Sequence, residues 1–76
     1  MTHHVVDARY LLCPLPVIRT QQAVAKLAPG DTVEVCATDP GALHDIPTWC
    51  RIHGHEVLAT RQDETEVRIT VRINRA

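Results

Sequence analysis

The sequence predicts an α/β (α+β) two-layer sandwich, ordered βαβαββ, with a mixed four-stranded sheet and two helices packed on one face. Three observations point to it. In the last segment Val67, Ile69, Val71 and Ile73 alternate with Arg68, Thr70 and Arg72, so one strand face is apolar and the other charged. That pattern belongs to a sheet covered by helices on one side only. Two helical stretches, each beginning at a proline, follow short β-branched runs, which is the order of successive βαβ units. Finally, 76 residues without a linker, low-complexity tract or repeat read as a single domain, 1–76.

Each element follows from its residues. His3 to Ala8, with the Val5-Val6 pair, reads as the first strand, and Asp7 to Leu12 as the loop after it. From Val17 to Ala28 the chain reads as helix, with Val17, Thr20, Val24 and Leu27 on one stripe, widened by Ile18 and Ala25. Arg19, Gln22 and Lys26 fall off that stripe. Pro29-Gly30-Asp31 stops the helix. Thr32 to Thr38 is a strand with Val33, Val35 and Ala37 on one face and Cys36 on the other. Asp39-Pro40 reads as an N-cap followed by proline at the first helical position. Ala42, Ile46, Trp49, Cys50 and His53 form the second helical stripe, with a kink at Pro47 or a restart at Asp45 expected. Gly54 closes this helix. Val57 to Arg61 is the third strand, and Gln62-Asp63-Glu64-Thr65 a polar turn.

Composition narrows the function classes. Hydrophobic residues make up 45% and charged residues 22%, an ordinary globular balance. With no Phe, one Trp and one Tyr, the core must be aliphatic. A net charge of −1 gives no basic field for nucleic acid, and aromatics for base stacking are nearly absent, so no direct nucleic-acid contact is expected. No apolar run reaches the roughly 18 residues that span a bilayer. Met1 to Asp7 lacks the charged start and apolar core of a signal peptide. A cytoplasmic protein without a membrane partner is expected. Cys13, Cys36 and Cys50 are unequally spaced with no C-x-x-C, so free thiols are expected in a reducing compartment.

The chemistry centres on Leu12-Cys13-Pro14-Leu15-Pro16. Two prolines one residue apart fit a first helical turn, where amide hydrogens have no intrahelical partner. Cys13 therefore falls at, or one residue before, a helix N-terminus, where the macrodipole is expected to lower the thiol pKa. Arg9 and Arg19 are close enough in sequence to add positive potential, or are simply solvated. A thiolate placed there can attack a sulfane sulfur and hold it as a persulfide. Cys50 reads as core, and Cys36 as a strand residue that could be exposed. The five histidines lack metal-ligand spacing, so no metal and no cofactor are expected. Asp45 is the one carboxylate worth singling out, its ordinary role being a helix cap.

At these residues the chain resembles the TusA/SirA family of small sulfur carriers. The matching pieces are Asp7, Leu11, Cys13-Pro14 and Pro16, Pro29-Gly30, Asp39-Pro40, Asp45-Ile46-Pro47 and Gly54-His55, in family order and covering Asp7 to about Thr60. The resemblance implies the same βαβαββ sandwich. It also implies a sulfurtransferase that acts as a stoichiometric persulfide carrier through Cys13. The sulfur would come from a cysteine desulfurase or rhodanese-like donor and pass to an acceptor protein of the Tus or Dsr type. It would end in tRNA 2-thiouridine, molybdenum-cofactor synthesis or cytoplasmic sulfur oxidation. Tyr10 stands where the family often has glycine, and Leu15 where tRNA-thiolation members typically carry glutamate. Leu15 is expected to be exposed beside the thiol, as a partner contact. The free protein is expected to be monomeric. Two other classes stay open at this point: a regulatory interaction module, and a thiol redox sensor pairing Cys13 with Cys36 or Cys50.

Overall fold

A computed structural model describes residues 2–74. Residues 1, 75 and 76 of the expected 1–76 unit lie outside the described residues. The element order is β1 (His3–Ala8), α1 (Leu15–Val24), β2 (Thr32–Ala37), α2 (Ala42–His53), β3 (Glu56–Gln62) and β4 (Val67–Arg72). The strands form one sheet in the order β1-β2-β4-β3. β1 runs parallel to β2, with His3 opposite Thr32 and Ala8 opposite Ala37. β4 lies antiparallel to both β2 and β3. The expected mixed sheet and βαβαββ order are what the chain forms.

One face of the sheet carries the core. Val6, Ala8, Val33, Val35, Ala37, Val67, Ile69 and Val71 are buried there with Val24 of α1 and Ala42, Ile46, Trp49 and Cys50 of α2. Full burial of each large aliphatic side chain stabilises the fold by about 1.5–3 kcal/mol. The opposite face is charged. There Arg68 bridges Glu34 and Glu66 at 3.6 Å each, and Arg72 pairs with Glu56.

Several local expectations need correction. α1 ends at Val24 rather than Ala28, and the next residues form a turn in which Lys26 N–H donates to the Ala23 carbonyl. Of its expected stripe, Thr20 and Val24 are buried while Ile18 is 42% exposed. The buried Thr20 satisfies its hydroxyl by donating to the Pro16 carbonyl at 2.8 Å. α2 begins at Ala42, with Gly41 rather than Asp39 at the N-cap. The Asp39 side chain still does capping work, since its Oδ1 accepts from Gly41 N–H at 3.0 Å. The helix does not restart at Asp45 but runs unbroken through Pro47. His53, placed on the apolar stripe by its spacing, is exposed at the last turn and stacks on Trp49 at 5.0 Å between ring centroids. Cys36 is buried although it lies on the charged face. It sits on an interior strand directly between Asp7 of β1 and Arg68 of β4, and the charged side chains bridging that face cover it.

This architecture places the candidate site. β1 and β2 are parallel and in register to their last residues, so both end at the same edge of the sheet. The loops that follow them, 9–14 and 38–41, therefore run side by side, and each feeds a helix. The crevice beyond the carboxyl ends of parallel strands is where α/β sheets generally place their chemistry.

Candidate functional site

Two hydrogen bonds stitch the loops together, and a third ties the first loop to α2. Tyr10 N–H donates to Thr38 Oγ1 at 2.8 Å, and Cys13 N–H donates to Asp39 Oδ2 at 3.0 Å. The Cys13 thiol donates to Asp45 Oδ2, in the first turn of α2, at 3.0 Å. Asp39 thus holds two backbone donors at once, Gly41 through Oδ1 and Cys13 through Oδ2. It fixes the start of α2 and the reactive loop against each other.

Tyr10 makes the turn that leads into this arrangement. Its φ is 65°, in the left-handed region that glycine adopts freely and other residues occupy at a cost of roughly 1–2 kcal/mol. Tyrosine here holds a conformation that favours glycine, and the residue is 85% exposed. Leu15 N–H donates to the Leu12 carbonyl at 2.8 Å, closing a turn around Cys13 and Pro14. Pro14 is the N-cap of α1 and Pro16 its second helical residue, both positions where a missing amide hydrogen removes nothing. The Cys13–Pro14 peptide is cis. Cys13 lies one residue ahead of the cap, with its side chain exposed.

The electrostatics differ from the expectation for a helix start. The Cys13 thiol is pushed above its ordinary pKa. The hydrogen bond to the Asp45 carboxylate is the main cause, followed by partial desolvation and the negative charges of Asp45 and Asp39. A helix end presents about half a charge, and its effect falls off within the first turn. Cys13 is outside that turn and touches a full negative charge, so the carboxylate wins.

The expected cations are elsewhere. Arg9 folds back on Asp7, with Nε on Oδ1 at 2.9 Å and Nη2 on Oδ2 at 3.0 Å. That pair holds the Asp7 carboxyl at about 2, and Arg19 adds a smaller contribution at Asp7. Of the residues singled out by sequence, Asp45 meets Cys13, Pro14 and Pro16 shape its turn, and Leu15 is exposed two residues away. Asp39 was read only as a cap. Its grip on the Cys13 amide spans 26 residues and leaves no local signal beyond the Asp-Pro pair itself.

Beside the two carboxylates, the segment that carries the thiol also exposes apolar side chains. Tyr10, Leu12, Leu15 and Ile18 are exposed by 85, 74, 47 and 42%. The other cysteines are of a different kind. Cys50 is buried in the core, where desolvation raises its thiol to about 11, and burial also raises Cys36.

The fold and site together define a small α/β sandwich that presents one exposed cysteine just beyond the end of its parallel strand pair. The family model described as Sulfurtransferase TusA matches residues 4–73. The sulfur carrier protein TusA of Pseudomonas putida is 46% identical over 59 residues, covering 78% of this chain and 74% of that protein. Its counterpart in Pseudomonas syringae pv. tomato is 43% identical over 61 residues, covering 80% and 73%. The crystal structure of a SirA-like protein from Desulfitobacterium hafniense shares the fold, with a TM-score of 0.82 at 23% identity over 93% of this chain and 97% of that one. The chain belongs to the TusA family of sulfurtransferases. Family membership implies sulfur transfer, with a donor and an acceptor as partners. Among the described residues no helix is long and apolar enough to cross a membrane.

Proposed function

We propose that this protein carries sulfane sulfur as a persulfide on Cys13, as a stoichiometric carrier rather than a self-contained catalyst. The observation that supports this most is the exposure of Cys13, with the exposed Leu12 and Leu15 on either side of it in the chain, while Cys36 and Cys50 are buried. A sulfur passed between proteins must leave one cysteine and join another at bonding distance, so the carrier sulfur has to stand at a surface that a partner can cover. Leu12 and Leu15 flank it and offer the kind of contact a docking partner buries.

The exchange needs no cofactor. The Cys13 sulfur attacks the outer sulfur of the donor's persulfide, a new S–S bond forms, and the donor's own S–S bond breaks. The donor cysteine leaves as a thiolate and takes up the proton that Cys13 gave up. Electrons balance within the pair of cysteines. Handing on is the same step with the acceptor's thiolate attacking the outer sulfur and Cys13 leaving. The donor is a cysteine desulfurase or rhodanese-like protein of the cytoplasm. The acceptor is a Tus- or Dsr-type protein that commits the sulfur to tRNA 2-thiouridine or to sulfur oxidation. Leu15, in place of glutamate, favours a branch outside tRNA thiolation.

A redox sensor would have to join Cys13 to a thiol buried beneath the sheet's charged side or inside the core, and the burial of Cys36 and Cys50 counts against it. The test is transfer of label from radiolabelled cysteine in the presence of a cysteine desulfurase. Label should appear on this chain, be released by dithiothreitol, and be absent from Cys13→Ser. An intramolecular disulfide formed under mild oxidant, with no label taken up, would oppose the carrier reading.

A further inference from the structure

We propose that Asp45 guards the carrier thiol: its carboxylate holds the Cys13 proton in the free protein, so that Cys13 exchanges sulfur with a docked protein while staying slow toward small electrophiles. The inference rests on Cys13 being the working sulfur, and it gives Asp45 a role distinct from capping.

The geometry carries it. Asp45 sits in the first turn of α2, where a carboxylate could serve the free amides of its own helix. Its Oδ2 instead accepts the thiol proton across the 3.0 Å contact, from a loop 32 residues away. The other charged groups around the thiol reinforce this. Asp39 faces Cys13 from the β2–α2 loop and adds a second negative charge. From the Cys13 loop itself, Arg9 is engaged by both oxygens of Asp7. Arg19 of α1 contributes at Asp7. Among the described residues no salt bridge joins Asp39 or Asp45 to a cation. The Asp45 hydrogen bond, partial desolvation and the same carboxylate charges favour the protonated thiol.

A low resting thiolate population separates two kinds of encounter. A dilute electrophile in solution reacts in proportion to the thiolate present when it collides, so its rate falls directly with that population. A docked sulfur donor holds its persulfide against Cys13 at an effective concentration far above any free reagent, which offsets the small thiolate fraction and leaves docking or release to set the pace of loading. The loading step balances as described: Cys13 joins the donor's outer sulfur, the donor's S–S bond breaks, and the proton held between Cys13 and Asp45 passes to the leaving donor thiolate. The carboxylate ends as it began.

The experiment compares wild type, Asp45→Asn and Asp45→Glu by the rate of Cys13 alkylation with iodoacetamide across pH. Alkylation reads the thiol directly and proceeds whether or not the protein carries sulfur, so failure here is distinct from failure of the carrier reading. Asp45→Asn should move the alkylation profile to lower pH and speed alkylation near pH 7.5 about threefold or more. Asp45→Glu should restore part of the suppression. Loading by a cysteine desulfurase with cysteine should change by a smaller factor than alkylation does. An unchanged profile in Asp45→Asn, or one moved to higher pH, overturns the proposal. Should the variants fail to fold, the wild type decides alone. Salt screens an exposed carboxylate, so alkylation near pH 8 should be faster in about 1 M KCl than in dilute buffer, and an equal or slower rate overturns the proposal.

Discussion

The Cys13 thiol donates to the Asp45 carboxylate at 3.0 Å, which ties the loop after β1 to the first turn of α2. A bond made by the protonated thiol favours protonation and raises the pKa above the ordinary value of about 8.5. The ultraviolet absorbance of the thiolate in Cys36→Ala/Cys50→Ala should therefore rise with a midpoint above that value. The sign for stability follows. The folded pKa is the higher one, so the contribution is fully present below the unfolded pKa and is lost as pH rises through the folded pKa. A midpoint at or below the ordinary value would mean that the helix start, not the carboxylate, governs the sulfur.

Asp39 bridges two segments with one side chain, and its removal should be felt in both. Asp39→Ala leaves the Gly41 and Cys13 amides without their acceptor. Loss of a comparable helix cap costs about 0.5–2 kcal/mol. Urea unfolding should register a loss in that range, and the Cys13 amide should exchange with solvent faster. Equal stability together with unchanged exchange would show that the loops are held by other contacts.

Tyr10 occupies a glycine conformation at φ 65°. Tyr10→Gly relieves the left-handed strain of roughly 1–2 kcal/mol but adds freedom to the unfolded chain worth roughly 0.5–1 kcal/mol. The variant should be as stable as wild type or more stable by up to about 1.5 kcal/mol in urea unfolding. A clear destabilisation would mean that the exposed ring contributes to the fold.

Leu15 is 47% exposed and two residues from the sulfur. Leu15→Glu should change folding stability by no more than about 0.5 kcal/mol, as surface substitutions usually do. It should weaken loading by a cysteine desulfurase about tenfold through KM, the scale on which one partly buried apolar contact acts at an interface. Unaltered loading kinetics would remove Leu15 from the docking surface.

Much of the fold was legible because periodicity is a local property. The alternation of Val67, Ile69, Val71 and Ile73 with charged residues announced a one-sided sheet, and the first strand was bounded at His3 and Ala8 as it is found. What was misread depends on neighbours from distant parts of the chain. Cys36 has the right alternation for an outer face, yet its burial comes from strands on both sides and from Arg68 reaching across to Glu34. Pro47 predicted a kink or a restart at Asp45, but the helix does not restart: α2 runs on past Pro47 and carries Trp49 and Cys50 into the core beside Ile46. At the site, the helix-start position of Cys13 was visible in its prolines. The thiol's acidity was misjudged because the deciding charge, Asp45, lies 32 residues away and reaches it only through the parallel pairing of β1 and β2.

The central claim is that Cys13 carries the sulfur, and the most direct measurement is the intact mass of the protein after incubation with a cysteine desulfurase and cysteine. The wild-type protein should gain the mass of one sulfur atom, located on the peptide containing Cys13, removed by dithiothreitol and absent from Cys13→Ser. A wild-type protein that stays unmodified, or a Cys13→Ser variant that gains the same mass, would contradict it.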